Sequence, residues 1–578
     1  MEEIREALKK IIQDLYSLDF EPEITPAPEN IDADYSSNAS LKLAKELHKP
    51  PMEIANELMT EMLEDTTFEE HNRRRGDYGA TEPRNDGSEG AFRKSSILSI
   101  SNPGFLNFKL SDEYFVDEIN NLYNTFDQSI KSDLFTGKTV ICEFSDPNPF
   151  KVLHVGHLYT SIFGDSISRL FEYAGAKVIR ANFGGDVGLH VAKTMYILQQ
   201  KDIAELTIED IAKCYIEGTA AYDDDETAHQ KITELNKEIY KINSEDIHGT
   251  PLSDLYWRGR ELSYDYFKDF YATIGVKFDK FYPESTVAGL GLETVKRELA
   301  NGVYEKSDGA VIFNGEKYGL HTRVFINKEG VPTYETKDVG LIFTKWQDYH
   351  FDKSVVITGS EQLEYMKVVL KSVEQYAPDL VEKTSHLTHG LVKLPGNVKM
   401  SSRKGNFLRA VDVLDLVKNA LESEYNSKDE KVSLAATKYA FLKYKMGGNI
   451  IFDPKESVKM TGNSGPYLLY SAVRAKKILS NCKDSQQTDK TVYNAYEKNL
   501  TRKILSYKNI LAESVAEMAP HKVANYLYEL AQEFSRFYEH CQVAGSEQEA
   551  ERAKLVKVYL DIMTHGLGIL GINIPEEM

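Results

Sequence analysis

The first sixteen residues place Ile4, Leu8, Ile11, Ile12 and Leu15 on one stripe at helical spacing, with charged residues between them, so the chain opens on an amphipathic helix. The stripe is too acidic and too interrupted for a secretory leader. A second helical pattern, ASLKLAKELHKPPMEIANELMTEML, breaks at Pro50 and Pro51, where the missing amide and the ring stop the helix. A polar stretch follows that lacks periodicity, and the segment 69–95 reads as an exposed connector. ILSISNPGFLNFKL then alternates as strand, turn and strand about Asn102, Pro103 and Gly104. Together these patterns predict an α+β unit over residues 1–112.

At Lys138 the pattern changes. TVICEFS is a short continuous apolar run of the kind buried in a parallel sheet, and it leads through a Pro- and Asn-rich turn into a helix. AKVIRANFGGD, ended by Gly184 and Gly185, then SVVITGSEQ and HGLVKLPG, read as further strands. This alternation predicts a doubly wound α/β domain over 113–431, with ligands at the carboxyl ends of its strands. Residues from about 195 to 284 are helical in pattern and read as an insertion that adds no strand. From 432 to 578 helical periodicities broken at Gly447, Gly448, Gly462 and Gly465 predict an all-α helical bundle.

The composition of the 578 residues, 42% hydrophobic and 27% charged, is that of a globular protein and excludes a disordered, collagen-like or coiled-coil chain. No run approaches the roughly 18 to 20 apolar residues of a membrane span. Cys142, Cys214, Cys482 and Cys541 form no C-x-x-C pair, which argues against a zinc knuckle or disulfide scaffold and fits a reducing cytoplasm; no metal site is read. The net charge of -20 disfavours a polyanionic partner, but residues 461–578 hold fourteen basic and fourteen acidic side chains. A polyanion would dock most easily in that neutral part.

Two segments carry phosphate chemistry. In SDPNPFKVLHVGHLYTSIFGD, directly after the first buried strand, His154 and His157 share one face at a helix start, Gly156 leaves room for a ligand, and Lys151 lies just upstream. Unpaired amides and the helix dipole attract anions there, and imidazoles donate to phosphoryl oxygens as charge develops. Some 240 residues later, VKMSSRKGNFL offers Lys399, Arg403 and Lys404 as cations and Ser401 and Ser402 as hydroxyls, with Gly405 and Asn406 to bend the loop into a clamp.

HVGH and KMSSR, in that order, resemble the HIGH and KMSKS motifs of class I aminoacyl-tRNA synthetases. NPGFLNF, EFSDPN, GGDVG, YETKD, GSEQ, GNSGPYLLYSAVRAKKIL and the closing LGINIPEEM resemble arginyl-tRNA synthetases over nearly the whole chain. The resemblance implies a Rossmann-type catalytic domain, an N-terminal domain contacting the tRNA corner, and a C-terminal helical anticodon-binding domain. It implies ATP at Lys151, His154, Gly156, His157, Lys399, Met400, Ser401, Ser402 and Arg403, with catalysis by Lys151, His154, His157, Lys399 and Arg403, and magnesium as the escort of ATP. L-arginine is expected among Glu143, Asn148, Tyr334, Asp338 and Gln362. A guanidinium is planar and permanently charged, and a carboxylate can take two parallel bonds from it, so Glu143 or Asp338 suits it.

The arginine carboxylate would attack the α-phosphorus of ATP, and the terminal ribose hydroxyl of tRNA would then attack the adenylate, a reaction run by positioning and electrostatics. For tRNA, the resemblance favours the face of Tyr467, Tyr470, Arg474 and Lys477, and more weakly Phe105, Asn107 and Phe108. It also implies a cytoplasmic monomer with no membrane partner. Two departures stand out. Arg403 replaces the second lysine of the class motif, and the family pairs such a loss with a lysine before HIGH, here Lys151. Val187 and His190 stand where relatives often carry Trp and Gln.

Overall fold

The computed structural model describes residues 2–28, 31–64, 95–201, 206–395, 408–483 and 492–578. They form two compact units that are not consecutive in sequence. One contains residues 1–129, 475–506 and 532–561, and the other contains 130–474, 507–531 and 562–578.

In the first unit the opening helix, Glu2–Tyr16, buries Ile4, Leu8, Ile11 and Ile12 as its stripe requires, while Leu15 at its end stays exposed. The prolines divide the next pattern into helices Ala39–Leu47 and Pro51–Glu64. An antiparallel sheet of order β1-β2-β4-β3 joins β1 (Ile24–Pro26), β2 (Tyr35–Ser37), β3 (Ser95–Ser101) and β4 (Phe105–Leu110). The hairpin is legible in the sequence; β1 and β2, three residues each, are too short for a periodic signal. Buried Asp34 accepts from the Leu110 amide and from Arg502 Nε at 2.9 Å, which ties the sheet to the helix Ala495–Leu505 of the same unit.

The second unit is built on a five-stranded parallel sheet of order β12-β11-β5-β6-β7. Its strands are β5 (Thr139–Glu143), β6 (Lys177–Gly184), β7 (Lys280–Pro283), β11 (Lys353–Gly359) and β12 (Thr384–His389). Three short strands, β8 (Glu305–Ser307), β9 (Ala310–Phe313) and β10 (Arg323–Ile326), make a separate antiparallel sheet. The chain runs from β5 outward to β7 on one side and returns to β11 and β12 on the other. The crevice of such a sheet therefore opens at the carboxyl ends of β5 and β11. Ile141, Ile179, Val356, Val339 and Val369 belong to the apolar cluster packed on this sheet.

Two expectations need correction. The stretch 195–284 does contribute a strand: β7 pairs in register with Ala181–Gly184. It escapes the pattern because it is a four-residue edge strand that ends in Pro283 and leaves Phe281 exposed. HGLVKLPG is not a strand of the central sheet. That place is taken by β12, whose sequence TSHLTH is too polar to read as buried, while β13 (Val392–Lys393) pairs in parallel with β14 (Ile450–Ile451) in a separate small sheet. The remainder of the insertion is helical: Ile208–Asp224, Glu226–Ser244 and Pro251–Ile274 surround a core with Val187, Val191, Met195, Ile211, Ile232 and Tyr256.

The helix Val155–Tyr173 crosses directly behind β5. Its Gly164 lies so close to Phe144 that a Cβ there would sit 2.1 Å from the ring. Farther along, Ser166 Oγ donates to the Ile569 carbonyl at 3.0 Å and Lys438 Nζ to the Gly571 carbonyl at 2.6 Å, capping the end of the last helix. Because Phe144 follows the last residue of β5 and cannot retreat, Gly164→Ala should lower stability by about 1–3 kcal/mol through overpacking. Equilibrium urea unfolding measures it, and an unchanged midpoint would show that the contact is loose.

Candidate active site

The turn from β5 to the helix Val155–Tyr173 is strained and held from outside. Ser145, Asp146 and Phe150 have φ of 75°, 50° and 64°. Ser145 Oγ pairs with Tyr271 Oη at 2.8 Å, Asp146 Oδ1 accepts from the Phe183 amide at 2.8 Å, and the Phe150 amide donates to Ser263 Oγ at 3.0 Å. Each strained residue is thus fixed by a neighbouring element.

His154 caps the helix that follows. Its Nδ1 accepts from the Gly156 amide at 3.1 Å, and its own amide donates to His157 Nδ1 at 3.1 Å. The two rings stack with centroids 3.8 Å apart. Since both Nδ1 atoms accept, a neutral ring in each case must carry its proton on Nε2. Burial, with Lys151 and His389 adding positive charge, pushes His154 down to about 4. Burial, then His154 and Lys151, holds His157 well below the ordinary histidine range. The pair therefore presents two neutral Nε2–H donors at a helix N-terminus. Lys151 has its Nζ 4.7 Å from the centroid of the Tyr215 ring.

His389, at the end of β12, is not singled out by the sequence. Its Nδ1 is bonded to the Gly390 carbonyl at 2.7 Å, and its ring meets Tyr159 edge-on at 4.8 Å. A lone histidine in a polar strand gives no signal of its own.

Lys399, Met400, Ser401, Ser402 and Arg403 lie outside the described residues. The chain that returns from them does not. The Val155 amide donates to the Leu408 carbonyl at 2.9 Å, the Ala410 amide donates to the Leu153 carbonyl at 2.9 Å, and His154 and Arg409 form a β-bridge. The flank of KMSSR is therefore bonded to the start of HVGH, across some 250 residues of sequence.

At the end of β5, Glu143 is buried and accepts from Lys345 Nζ at 2.6 Å; Lys345 also reaches Ser354 Oγ at 3.2 Å. Lys345 belongs to the helix Tyr334–Tyr349, and Asp338 lies two turns nearer its N-terminus on the same face. Asp338 accepts from the Tyr365 hydroxyl and has no ion-pair partner among the described residues. Burial pushes it up to about 8, with Glu143, Glu284 and Glu335 adding to the rise against the Tyr365 bond. Asp146 is also raised, first by burial and then by Glu143. Glu143 thus lies near enough to Asp338 for its charge to raise the second carboxyl.

Asn148 Oδ1 accepts from the Gly185 amide at 2.7 Å. A Cβ on Gly185 would come within 2.9 Å of that oxygen and 3.1 Å of Glu284, so a side chain there would displace both groups. Glu284, another residue the sequence does not flag, is buried on Lys337 Nζ at 2.6 Å. Tyr334, 55% exposed, has the same Lys337 Nζ 5.1 Å from its ring centroid. Gln362 ends the 3-10 turn Ser360–Gln362 after β11 and is exposed. Asp186 of GGDVG is fully buried and accepts from the Ser285 amide, Ser285 Oγ and Arg260 Nε, fixing the segment after β6 to the helices Glu284–Ala300 and Pro251–Ile274. Val187 points into the apolar core of the insertion.

The tRNA candidates divide. On the helix Gly465–Asn481, Tyr470 is exposed and its hydroxyl accepts from Arg474 at 3.0 Å, Lys477 is exposed, and the half-buried Tyr467 meets Tyr528 edge-on. In the first unit only Phe105 keeps partial exposure. Phe108 is 1% and Asn107 2% exposed, with Asn107 bonded to Ser36 and Ser101, so neither side chain offers a surface. Leu106, Asn107 and Phe108 are consecutive in β4 and all buried, so both faces of the strand are covered there, which the alternation of a single strand does not reveal.

Comparison with known proteins agrees with this architecture. The sequence model for the catalytic domain of tRNA synthetases class I (R) matches residues 119–453, that for the arginyl tRNA synthetase N-terminal domain 2–73, and that for the DALR anticodon binding domain 468–578. The chain is 28% identical over 513 residues to an arginine–tRNA ligase of Flavobacterium psychrophilum, covering 82% of this chain and 85% of the relative. It is 27% identical over 569 residues to one of Treponema pallidum, covering 93% and 91%. Its fold resembles arginyl-tRNA synthetase of Thermus thermophilus, with a TM-score of 0.77 at 22% identity and all of both chains covered. It likewise resembles that of Plasmodium falciparum, with a TM-score of 0.74 at 20% identity over 100% and 99% of the two chains. With over half its length matched by the catalytic-domain model, and its histidine pair and carboxylates gathered at the carboxyl end of the central sheet, the chain belongs to the arginyl class I tRNA synthetases.

Proposed function

We propose that the protein is an arginine–tRNA ligase that couples ATP to arginine as arginyl-adenylate and transfers arginine to the 3' end of its tRNA. The observation that carries this reading is the pairing of two neutral Nε2–H imidazoles at a helix start with a buried carboxylate pocket that has fewer cations than acids.

Arginine enters with its guanidinium toward Asp338 and Glu143. Of these two acids Asp338 is the one without a cation, so it takes the fork, and its proton leaves as the guanidinium arrives. Lys345 donates to only one oxygen of Glu143. With Oδ1 bonded to the Gly185 amide, the Asn148 NH2 is the donor offered to the substrate carboxylate. Tyr334 and Gln362 complete the mouth of the pocket.

The arginine carboxylate attacks the α-phosphorus of ATP, the bond to the β-phosphate breaks, and pyrophosphate leaves. His154 and His157 donate to phosphoryl oxygens as charge builds there, Gly156 lets the nucleotide approach, and Lys151 adds a cation beside them. Lys399, Met400, Ser401, Ser402 and Arg403 close over the pyrophosphate, with Lys151 making good the lysine that Arg403 replaces. Magnesium comes with ATP as part of the substrate; among the described residues no group of three His, Cys, Asp or Glu side chains is placed to hold a metal ion. The terminal ribose hydroxyl of tRNA then attacks the adenylate carbonyl, releasing AMP.

The roles divide over residues 1–112, which contact the tRNA corner through Phe105, 113–431, which carry the chemistry, and 432–578, which read the anticodon region. The Tyr470 and Arg474 face, with Tyr467 and Lys477, is the surface for bases and phosphates. The enzyme acts as a cytoplasmic monomer. Among the described residues no helix is long and apolar enough to cross a membrane.

Incubation with ATP, total tRNA and each amino acid in turn should yield aminoacyl-tRNA with arginine alone. Product with a different amino acid, or tRNA binding without product, would refute the reading. Lys151→Ala should slow adenylate formation by roughly 10² while arginine affinity changes less than about twofold, since the charge of Lys151 acts on both histidines and is not among the leading influences on Asp338. Single-turnover adenylate formation with tRNA present, beside calorimetric arginine binding, measures both. Unchanged turnover would remove Lys151 from the chemistry.

A further inference from the structure

His190 lies in the first turn of the helix Leu189–Leu198, which follows β6. It is buried, and its Nε2 lies 2.7 Å from the Gly185 carbonyl. A carbonyl only accepts, so Nε2 carries the ring proton. Nδ1 is then an acceptor, and it has no partner among the described residues. The ring keeps this buried orphan, so its place in the fold rests on the bond that Nε2 makes. Burial, with Lys151 and Lys337 nearby, keeps the ring neutral and this tautomer in place.

The acceptor matters because of what else Gly185 does. Its amide donates to Asn148 Oδ1 at 2.7 Å, and a Cβ on it would come within 3.1 Å of the Glu284 carboxylate. Gly185 is therefore held through its carbonyl by His190 and through its amide by Asn148. We infer that His190 is a positioning residue for the amino-acid pocket: it fixes Gly185, and through Gly185 it fixes which end of the Asn148 amide faces the substrate. Loss of this donor lets Gly185 turn, and Asn148 then loses the bond that keeps its NH2 directed at the substrate carboxylate. A glutamine places its amide nitrogen where Nε2 of histidine lies, so it can make the same bond, whereas asparagine is too short and leucine donates nothing.

The inference rests on the proposed role of Asn148, and the test separates the two. L-Arginine binding to the full chain is measured by calorimetry for wild type, Asn148→Ala, His190→Leu, His190→Asn, His190→Gln and the double variant N148A/H190L, with KM values for arginine and ATP alongside. His190→Leu and His190→Asn should weaken arginine binding by about tenfold and raise the KM for arginine, with the KM for ATP within about twofold. His190→Gln should recover affinity to within about threefold of wild type, and the double variant should be no weaker than Asn148→Ala alone. Asn148→Ala binding arginine as wild type does would sink the role of Asn148 itself. If Asn148→Ala weakens binding, the inference on His190 is overturned by any of three results: His190→Asn binding normally, His190→Gln failing to recover affinity, or additive losses in the double variant.

Discussion

Buried negative charge at the carboxyl ends of the central strands is what the rest of the catalytic unit depends on. Glu143, Asp146, Asp338 and Glu284 gather there, and the unit supplies Lys345 to the first and Lys337 to the last. Asp146 and Asp338 have no ion-pair partner among the described residues, and both are pushed up by burial and by the acids around them. A buried carboxylate without a counterion is unfavourable, so these two groups are driven toward the protonated form until a cation arrives. A guanidinium answers this need better than an ammonium, because its fork can serve two carboxylate oxygens at once while spreading its charge. In the function proposed above, this shortage of cations is what selects the amino acid.

The phosphate side works by the opposite device. Burial and the positive charge of Lys151 hold His154 and His157 neutral, and the helix cap consumes their Nδ1 atoms. Neutral donors can follow the charge that develops on phosphoryl oxygens without neutralising the carboxylates a short distance away. The strained turn 145–150 joins the two halves: Glu143 lies just before it and His154 just after, and the outside bonds to Tyr271, Phe183 and Ser263 fix their spacing. The return of the chain at Leu408 onto Val155 ties the segment that follows the second phosphate motif to the start of the first.

Elements with strong periodicity or an uninterrupted apolar run are legible in the sequence: the amphipathic first helix, TVICEFS as β5, AKVIRANFGG as β6 and the helices of the last quarter. Short or polar strands are not. β7 has four residues and an exposed aromatic, and β12 carries two histidines and two threonines, so neither shows the pattern of a buried strand. At the site, residues inside motifs are found by position, but His389, Glu284 and Asp146 escape because each acquires its meaning from neighbours distant in sequence. Asn107 and Phe108 show the converse: their hairpin is legible, but burial on both faces comes from packing that one strand cannot report.

The most direct test of the charge deficit is the proton balance of arginine binding. Below about 8 the carboxyl of Asp338 is mostly protonated in the free site, and the guanidinium requires it ionised, so binding near pH 7 must release a proton and tighten as pH rises. Calorimetry in buffers of different ionisation heat should show about one proton released near pH 7, with affinity rising severalfold toward pH 8 and levelling above it, and Asp338→Asn should abolish the release. Arginine binding with no proton released and no dependence on pH would contradict the account.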